Sequence, residues 1–295
     1  MDRFFAPDSL FSTRFFFLAR RFVAGETIES AIEAVRRINT DGMTATLDFL
    51  GEDVLEREAA VKAREAYARM SDAIAAAHVR SNVSVKLTAM GLLADEDFAL
   101  ENLQAVLDYA RAVNPDPFVR IDMEGSAVTD ATLRVFERAY ANNPNVGPVL
   151  QAYLKRTPQD VERAIELKAR VRICKGAYSE PAGIALKEMP QIRAQYMKCA
   201  QALLSRGNYP GIATHDPELI ELVKSYARAN GIGASRFEFQ MLYGVRPALQ
   251  KQLAAQGYNV RIYVPFGTHW AGYFYRRVME RRENLVFALT SMFAK

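Results

Sequence analysis

Residues 43–50 read Met-Thr-Ala-Thr-Leu-Asp-Phe-Leu, a run in which helical spacing gives way to the apolar, Thr-containing pattern of a buried strand. Just before it, Ile28, Ala31, Ile32, Val35 and Ile38 share one face of a helix that Thr27 can cap. After it come seven more short apolar runs: Val83–Thr88, Phe118–Met123, Val146–Leu154, Val171–Tyr178, Gly211–Thr214, Phe237–Leu242 and Val260–Val264. From the second run onward the starts lie roughly 20 to 40 residues apart, the room that a strand, a crossover helix and two loops need. Helical patterns fill the gaps. Glu56–Ala77 is dense in Ala, Glu and Arg; Asp97–Ala112 turns Leu100, Leu103, Val106 or Leu107 and Ala110 to one side; Thr129 precedes Leu133, Phe136 and Tyr140. Thr157-Pro158 and Asp216-Pro217 each offer a cap residue followed by proline at the first helical position.

Alternation sustained through eight strands predicts an α/β fold, a closed (β/α)8 barrel of the TIM type. A doubly wound open sheet also alternates. A nucleotide-binding one would carry a glycine fingerprint, yet the chain has no G-x-G-x-x-G after the first strand and no G-x-x-x-x-G-K-[ST]. Residues 1–40 read as an N-terminal helical extension packed on the barrel, and residues 41–295 as the catalytic barrel with its C-terminal helix. Asn142-Asn143-Pro144-Asn145 and Gly231-Ile232-Gly233 are turns rather than domain boundaries.

A chain of 295 residues suits one such domain, and 38 basic side chains interspersed with 34 acidic ones describe a mixed solvated surface, a weak basis for nucleic-acid binding. Cys174 and Cys199 give neither a disulfide framework nor a metal cluster, which fits a reducing, cytoplasmic setting. The apolar stretch Phe15–Ala19 is too short to span a membrane and is followed by no secretory cleavage pattern, while residues 273–290 form an amphipathic helical region too charged to span.

In a barrel the carboxyl ends of the strands build the active site. Lys86 stands within an apolar run and needs an anionic partner. Arg120, Asp122 and Glu124 are spaced to share one side of a strand, and Asp122 is the expected partner of an interior cation, either in a functional role or in a structural pair that orders the mouth. Alternation puts Arg172, Cys174 and Gly176 on one side and Lys175 on the other; Gly176 can allow close approach of a flat or bulky ligand to the backbone, and Cys174 reads as a packed thiol. His78, His215 and His269 fit no zinc spacing, so no metal is expected, and His215 with Thr214 can donate to a cofactor. Tyr273-Phe274-Tyr275-Arg276-Arg277-Val278-Met279-Glu280 places two guanidiniums at an expected helix start, where an anion must accept their donors unless surface salt bridges do so. Lys86 as a Schiff-base nucleophile of a lyase or aldolase, and a noncatalytic carboxylate-binding protein, are alternatives to a redox site.

Together, Ser84-Val85-Lys86-Leu87-Thr88, Gln151-Ala152-Tyr153, Arg172–Tyr178, Ala213-Thr214-His215, Phe237-Glu238-Phe239-Gln240, Arg261-Ile262-Tyr263-Val264-Pro265 and Tyr273–Glu280 resemble the proline dehydrogenase family in its short monofunctional bacterial form, over about residues 40–283. The resemblance implies a distorted barrel whose final helix lies over the mouth, FAD bound without a glycine fingerprint, and hydride transfer from C5 of L-proline to flavin N5, giving Δ1-pyrroline-5-carboxylate. It implies that Arg276 and Arg277, with Lys86, clamp the substrate carboxylate, that Asp122 holds the cationic cluster, that Tyr263 and Tyr273 wall the pocket, and that Glu52 pairs with Arg276 to close it. Arg172 is expected beside N5, Gln151 near the pyrimidine edge, and Lys175, Gly176, Ala177, Tyr178, Thr214, His215 and Gln240 elsewhere on the cofactor. Reoxidation by a membrane quinone implies peripheral contact with the cytoplasmic face of the membrane. The segment Phe4-Phe5 through Arg20-Arg21 is either that contact or, the favoured reading, an amphipathic helix under the barrel. No segment resembles an aldehyde dehydrogenase or DNA-binding domain, so a separate pyrroline-5-carboxylate dehydrogenase is the expected downstream partner. The loop between Tyr263 and Tyr273 is about two residues shorter than in the large bifunctional relatives, and Cys174 and Tyr275 sit at variable motif positions.

Overall fold

Eight parallel strands close on themselves in chain order, each hydrogen-bonded to the next and the last to the first. The computed structural model describes residues 19–114 and 117–279, with side chains described through Phe274. The strands are β1 (Thr44–Phe49), β2 (Ser81–Val85), β3 (Val119–Ile121), β4 (Val146–Gln151), β5 (Arg172–Cys174), β6 (Gly211–Ala213), β7 (Glu238–Leu242) and β8 (Asn259–Phe266). The helices are α1 (Ile28–Thr40), α2 (Arg57–Ala77), α3 (Glu96–Val113), α4 (Ser126–Tyr140), α5 (Thr157–Glu166), α6 (Met189–Arg206), α7 (Pro217–Ala229), α8 (Pro247–Ala255) and α9 (Trp270–Met279).

Local chemistry explains most boundaries. Thr27 and Ser30 form a reciprocal capping box ahead of α1, Asp95 caps α3 through the Phe98 N–H, and Asp216 caps α7 with Pro217 in its first turn. Thr157 differs from its expected role. It lies inside α5, and its hydroxyl donates to the Gln151 carbonyl at 2.5 Å, docking the helix on the end of β4. The helix expected from Thr129 begins three residues earlier, at Ser126.

The outer face of the sheet is apolar. Ala45, Leu47, Val83, Val85, Val119, Ile121, Ile173, Ile212, Phe239, Ile262 and Val264 are buried in one continuous core beneath the helices. Helix α1 contributes Ala31, Ile32, Ala34, Val35 and Ile38 to that core and packs on β1 and β8, beside α2. It thereby occupies the outer position that a helix following β8 would fill. The chain leaves β8 instead through Gly267 at φ +121 and enters α9, whose Trp270, Ala271 and Tyr273 pack with Ala19, Val23 and Leu50 beyond the carboxyl end of β1. Of the aromatic and basic N-terminal segment, residues 4–18 lie outside the described residues.

Candidate active site

The inner face of the barrel is ionic, where barrels usually fill it with branched aliphatics. Lys86, just past β2, is 6 % exposed and reaches Asp48 of β1, with Nζ 2.6 Å from Oδ1. Burial works against the ammonium, but the carboxylates of Asp48 and Asp122 outweigh it and hold its pKa above the ordinary lysine value. Lys86 is therefore a fixed positive charge. Asp122, expected to partner an interior cation, accepts from Arg172 at 2.8 Å, from the Tyr263 hydroxyl at 2.6 Å and from the Ser84 hydroxyl at 2.7 Å. Asp122 does satisfy an interior cation, and that cation is Arg172.

Arg172 is oriented from below by a chain of hydrogen bonds. Its Nε donates to the Gln240 amide oxygen, the Gln240 amide nitrogen donates to Glu238 at 2.5 Å, and Glu238 accepts from Arg261 at 2.7 Å. Glu238 can only accept, so it fixes which end of the Gln240 amide faces Arg172. Burial alone would push the Glu238 carboxyl up, yet Arg261 and these hydrogen bonds bring it below the ordinary carboxylate value. Arg120 points into the same interior, lying over the Phe118 ring and donating to the carbonyls of Pro148 and Arg170. Strand β3 ends at Ile121, but Asp122 just past it faces the same interior as Arg120, as their spacing predicts.

Beyond the strand ends lies a rim of polar groups. Gln151 is buried and donates to the Glu124 carbonyl at 2.9 Å. Strand β5 stops at Cys174, and Lys175 just past it reaches Asp216 at 3.1 Å, where Arg193 also binds. Gly176, at φ +116, is covered by the Tyr153 ring, which an added Cβ would meet at 2.2 Å, so the close approach at this glycine is made by a side chain of the chain itself. The Cys174 thiol packs against the Leu150 carbonyl at 3.7 Å. Thr214 accepts from the Asp216 N–H at 3.1 Å, and His215 Nε2 accepts from the Leu242 N–H at 2.8 Å, which puts the proton of the neutral ring on Nδ1. Ala177 is exposed, Tyr178 half-buried and Gln240 buried.

A sequence profile of the family described as proline dehydrogenase matches residues 31–289, nearly all of this barrel and its final helix. The chain belongs to the proline dehydrogenase family. It is 41% identical over 277 residues to proline dehydrogenase 1 of Bacillus subtilis, covering 94% of this chain and 91% of that one. Against the proline dehydrogenase of Deinococcus radiodurans the figures are 40% identity, 93% and 90%. Among solved structures, proline utilization A from Bdellovibrio bacteriovorus inactivated by N-propargylglycine superposes with a TM-score of 0.84 at 26% identity, covering 92% of this chain. This chain spans only 33% of that larger protein.

Of the residues expected to meet substrate, Lys86, Asp122 and Tyr263 converge at one end of the barrel, and Tyr273 is buried on α9. The side chains of Arg276 and Arg277 lie outside the described residues. Their backbone does not begin a helix: α9 starts at Trp270, so both arginines fall past its first turn and the helix-start argument for an anion does not apply. Glu52 is half-buried in the β1–α2 loop, and its charge is felt by Glu124. Sequence reasoning assigned no role to Asp48, Ser84, Thr88, Glu238 or Arg261, or to Glu124. A signal existed for Asp48, Glu238 and Arg261: each is a charge inside or at the start of an otherwise apolar strand.

Proposed function

We propose that the chain oxidises L-proline to Δ1-pyrroline-5-carboxylate with FAD and returns the electrons to a membrane quinone, a separate dehydrogenase consuming the product. The observation that carries this reading is the buried Arg172–Asp122–Tyr263 cluster, held beside the Lys86–Asp48 pair at the carboxyl ends of the strands. Family membership gives the cluster its chemistry.

The donor set suits the cofactor. Gln151, Arg172, Lys175, Thr214 and His215 ring the ends of β4–β6, and an acceptor-rich dinucleotide needs such donors when no glycine loop supplies backbone amides. Arg172 and Gln151 would hold the flavin ring, with Lys175, Thr214 and His215 toward its distal part; Gly176, Ala177, Tyr178 and Gln240 complete the proposed cofactor set. Bound FAD would supply the two-electron acceptor for the hydride leaving C5 of proline. The protein's share is placement. Lys86 offers a permanent positive charge to the substrate carboxylate, together with Arg276 and Arg277, and Tyr263 and Tyr273 exclude water around the ring. Asp122 keeps Arg172 and the Tyr263 hydroxyl in fixed orientation, so neither group has to reorganise as the substrate reacts.

The lyase alternative requires a neutral lysine, and a raised pKa with a carboxylate at 2.6 Å opposes it. Anaerobic addition of L-proline to the purified yellow protein should bleach the oxidised flavin band. A colourless protein whose Lys86 is trapped by borohydride would replace this reading with the lyase.

Among the described residues no helix is long and apolar enough to cross a membrane. With a quinone as acceptor, this reading puts the chain in peripheral contact with the cytoplasmic face of the membrane. Liposome flotation of the chain lacking residues 1–22 tests the N-terminal segment, since retained flotation rules it out as the contact.

A further inference from the structure

Thr88 lies three residues past β2, and each of its polar atoms is committed. Its N–H and hydroxyl both donate to Glu124, at 3.1 and 2.5 Å, one to each carboxylate oxygen. The other side of Thr88 holds the β1–α2 loop. Its hydroxyl oxygen accepts from the Asp53 N–H at 3.0 Å, and its carbonyl accepts from the Val54 N–H at 3.1 Å. The Thr88 hydroxyl donates its proton to Glu124 and keeps a lone pair of the same oxygen for the Asp53 N–H. Glu124 is itself fixed, 5 % exposed and tied through its own carbonyl to Gln151 at 2.9 Å.

The loop needs such a fastening. Asp53 has φ +58, the left-handed region that a residue with a Cβ adopts only where its surroundings require it. Glu52 immediately precedes it, and the Glu52 carboxylate lies near enough to act on the Glu124 carboxyl, which burial, opposed by the Thr88 hydrogen bonds, pushes up to about 7.

We propose that Glu124, acting through Thr88, is a positioning residue that clasps the β1–α2 loop in its left-handed turn and so holds Glu52 at the mouth of the site. Its kinetic consequence rests on the reading of that mouth as the proline site; the clasp itself does not. Without the Thr88 hydroxyl, Asp53 loses its acceptor and the turn relaxes toward extended backbone, carrying Glu52 away. Substrate capture then suffers while the chemistry at Arg172 and Tyr263 is untouched.

The test compares Thr88→Val, which keeps the shape and removes the hydroxyl, with Thr88→Ser, which restores it, and Glu124→Ala with Glu124→Gln, whose amide can still accept from the Thr88 N–H. Amide exchange at Asp53 and Val54 is measured in each holoenzyme, alongside KM and kcat for L-proline. Thr88→Val and Glu124→Ala should speed exchange at both amides at least tenfold and raise KM about tenfold with kcat within twofold; Thr88→Ser and Glu124→Gln should recover most of the protection and most of the KM. Unchanged exchange in Thr88→Val and Glu124→Ala overturns the clasp. Faster exchange with unchanged KM overturns the positioning role. Failure of the parent enzyme to reduce its flavin with proline counts against the functional reading instead, and leaves the exchange result to judge the clasp.

Discussion

At the scale of single residues, the interior charges divide into those that are neutralised and those that are strained by burial. Glu124 belongs to the second group. Its carboxyl sits near 7 in the folded chain against an ordinary 4.5, so the native state binds the proton more tightly than the unfolded chain does. The stability this contributes is present below the unfolded value and is lost as pH rises through about 7. Glu124→Gln cannot titrate. Denaturation at pH 5 and at pH 8 should therefore show the stability difference between variant and parent moving about 2 to 3 kcal/mol in the variant's favour at the higher pH. A difference independent of pH would mean that the carboxyl titrates normally. Asp48 is shared between the groups, since burial raises its carboxyl while Lys86 opposes the rise, and Asp48→Asn leaves the Lys86 ammonium without its ion pair in the interior. The expected loss is about 3 kcal/mol, read from the urea midpoint. The sequence makes it plain that Lys86 requires an anion but cannot choose between Asp48 and Asp122. That choice depends on barrel register, which sets Asp48 beside Ser84, two residues before Lys86 on the neighbouring strand.

At the scale of elements, strand interiors were legible and strand ends were not. The run Val171–Tyr178 is apolar enough to suggest a long strand, yet β5 holds only Arg172–Cys174, because Gly176 turns the chain with a positive φ against the Tyr153 ring. The same early stop places Asp122, Lys86 and Lys175 beyond their strands, where side chains from different elements can meet. Pairing across β5, β7 and β8 is likewise invisible in any single run. Arg172, Gln240, Glu238 and Arg261 form one line of hydrogen bonds through three strands. Glu238→Gln keeps the shape but removes the carboxylate that pairs with Arg261, and it frees the Gln240 amide to rotate. We expect about 3 kcal/mol of destabilisation, typical of a buried ion pair that loses one partner. We also expect a shift of the flavin midpoint potential, measured by spectroelectrochemistry, because the Arg172 guanidinium is no longer held in one orientation. An unshifted potential would confine the line to a structural role.

At the scale of the whole molecule, the order of the helices explains why the N-terminal extension belongs to the barrel. After β8 the chain crosses to the mouth as α9, so β1 and β8 would show a bare apolar flank to water had α1 not covered it. The residues involved are Ile32, Val35 and Ile38 from the helix, against a sheet face that includes Ala45, Leu47, Ile262 and Val264. Burying those three helix side chains stabilises the fold by about 2 kcal/mol each, roughly 6 kcal/mol together before the exposed sheet face is counted. A domain has only about 5 to 15 kcal/mol of net stability, so this loss is comparable to the whole. The chain beginning at Thr44 should accordingly be insoluble or bind no flavin, whereas the chain beginning at Val23 keeps α1 and its Thr27 cap and should retain both flavin and barrel. Ile32→Asp in the full-length chain provides the milder version. Buried beside β1 and β8, an aspartate there should lower the thermal midpoint steeply, while Glu33→Ala, one residue on and exposed, should leave it nearly unchanged. Equal effects of the two substitutions would mean that α1 is an attachment to the barrel rather than part of its wall.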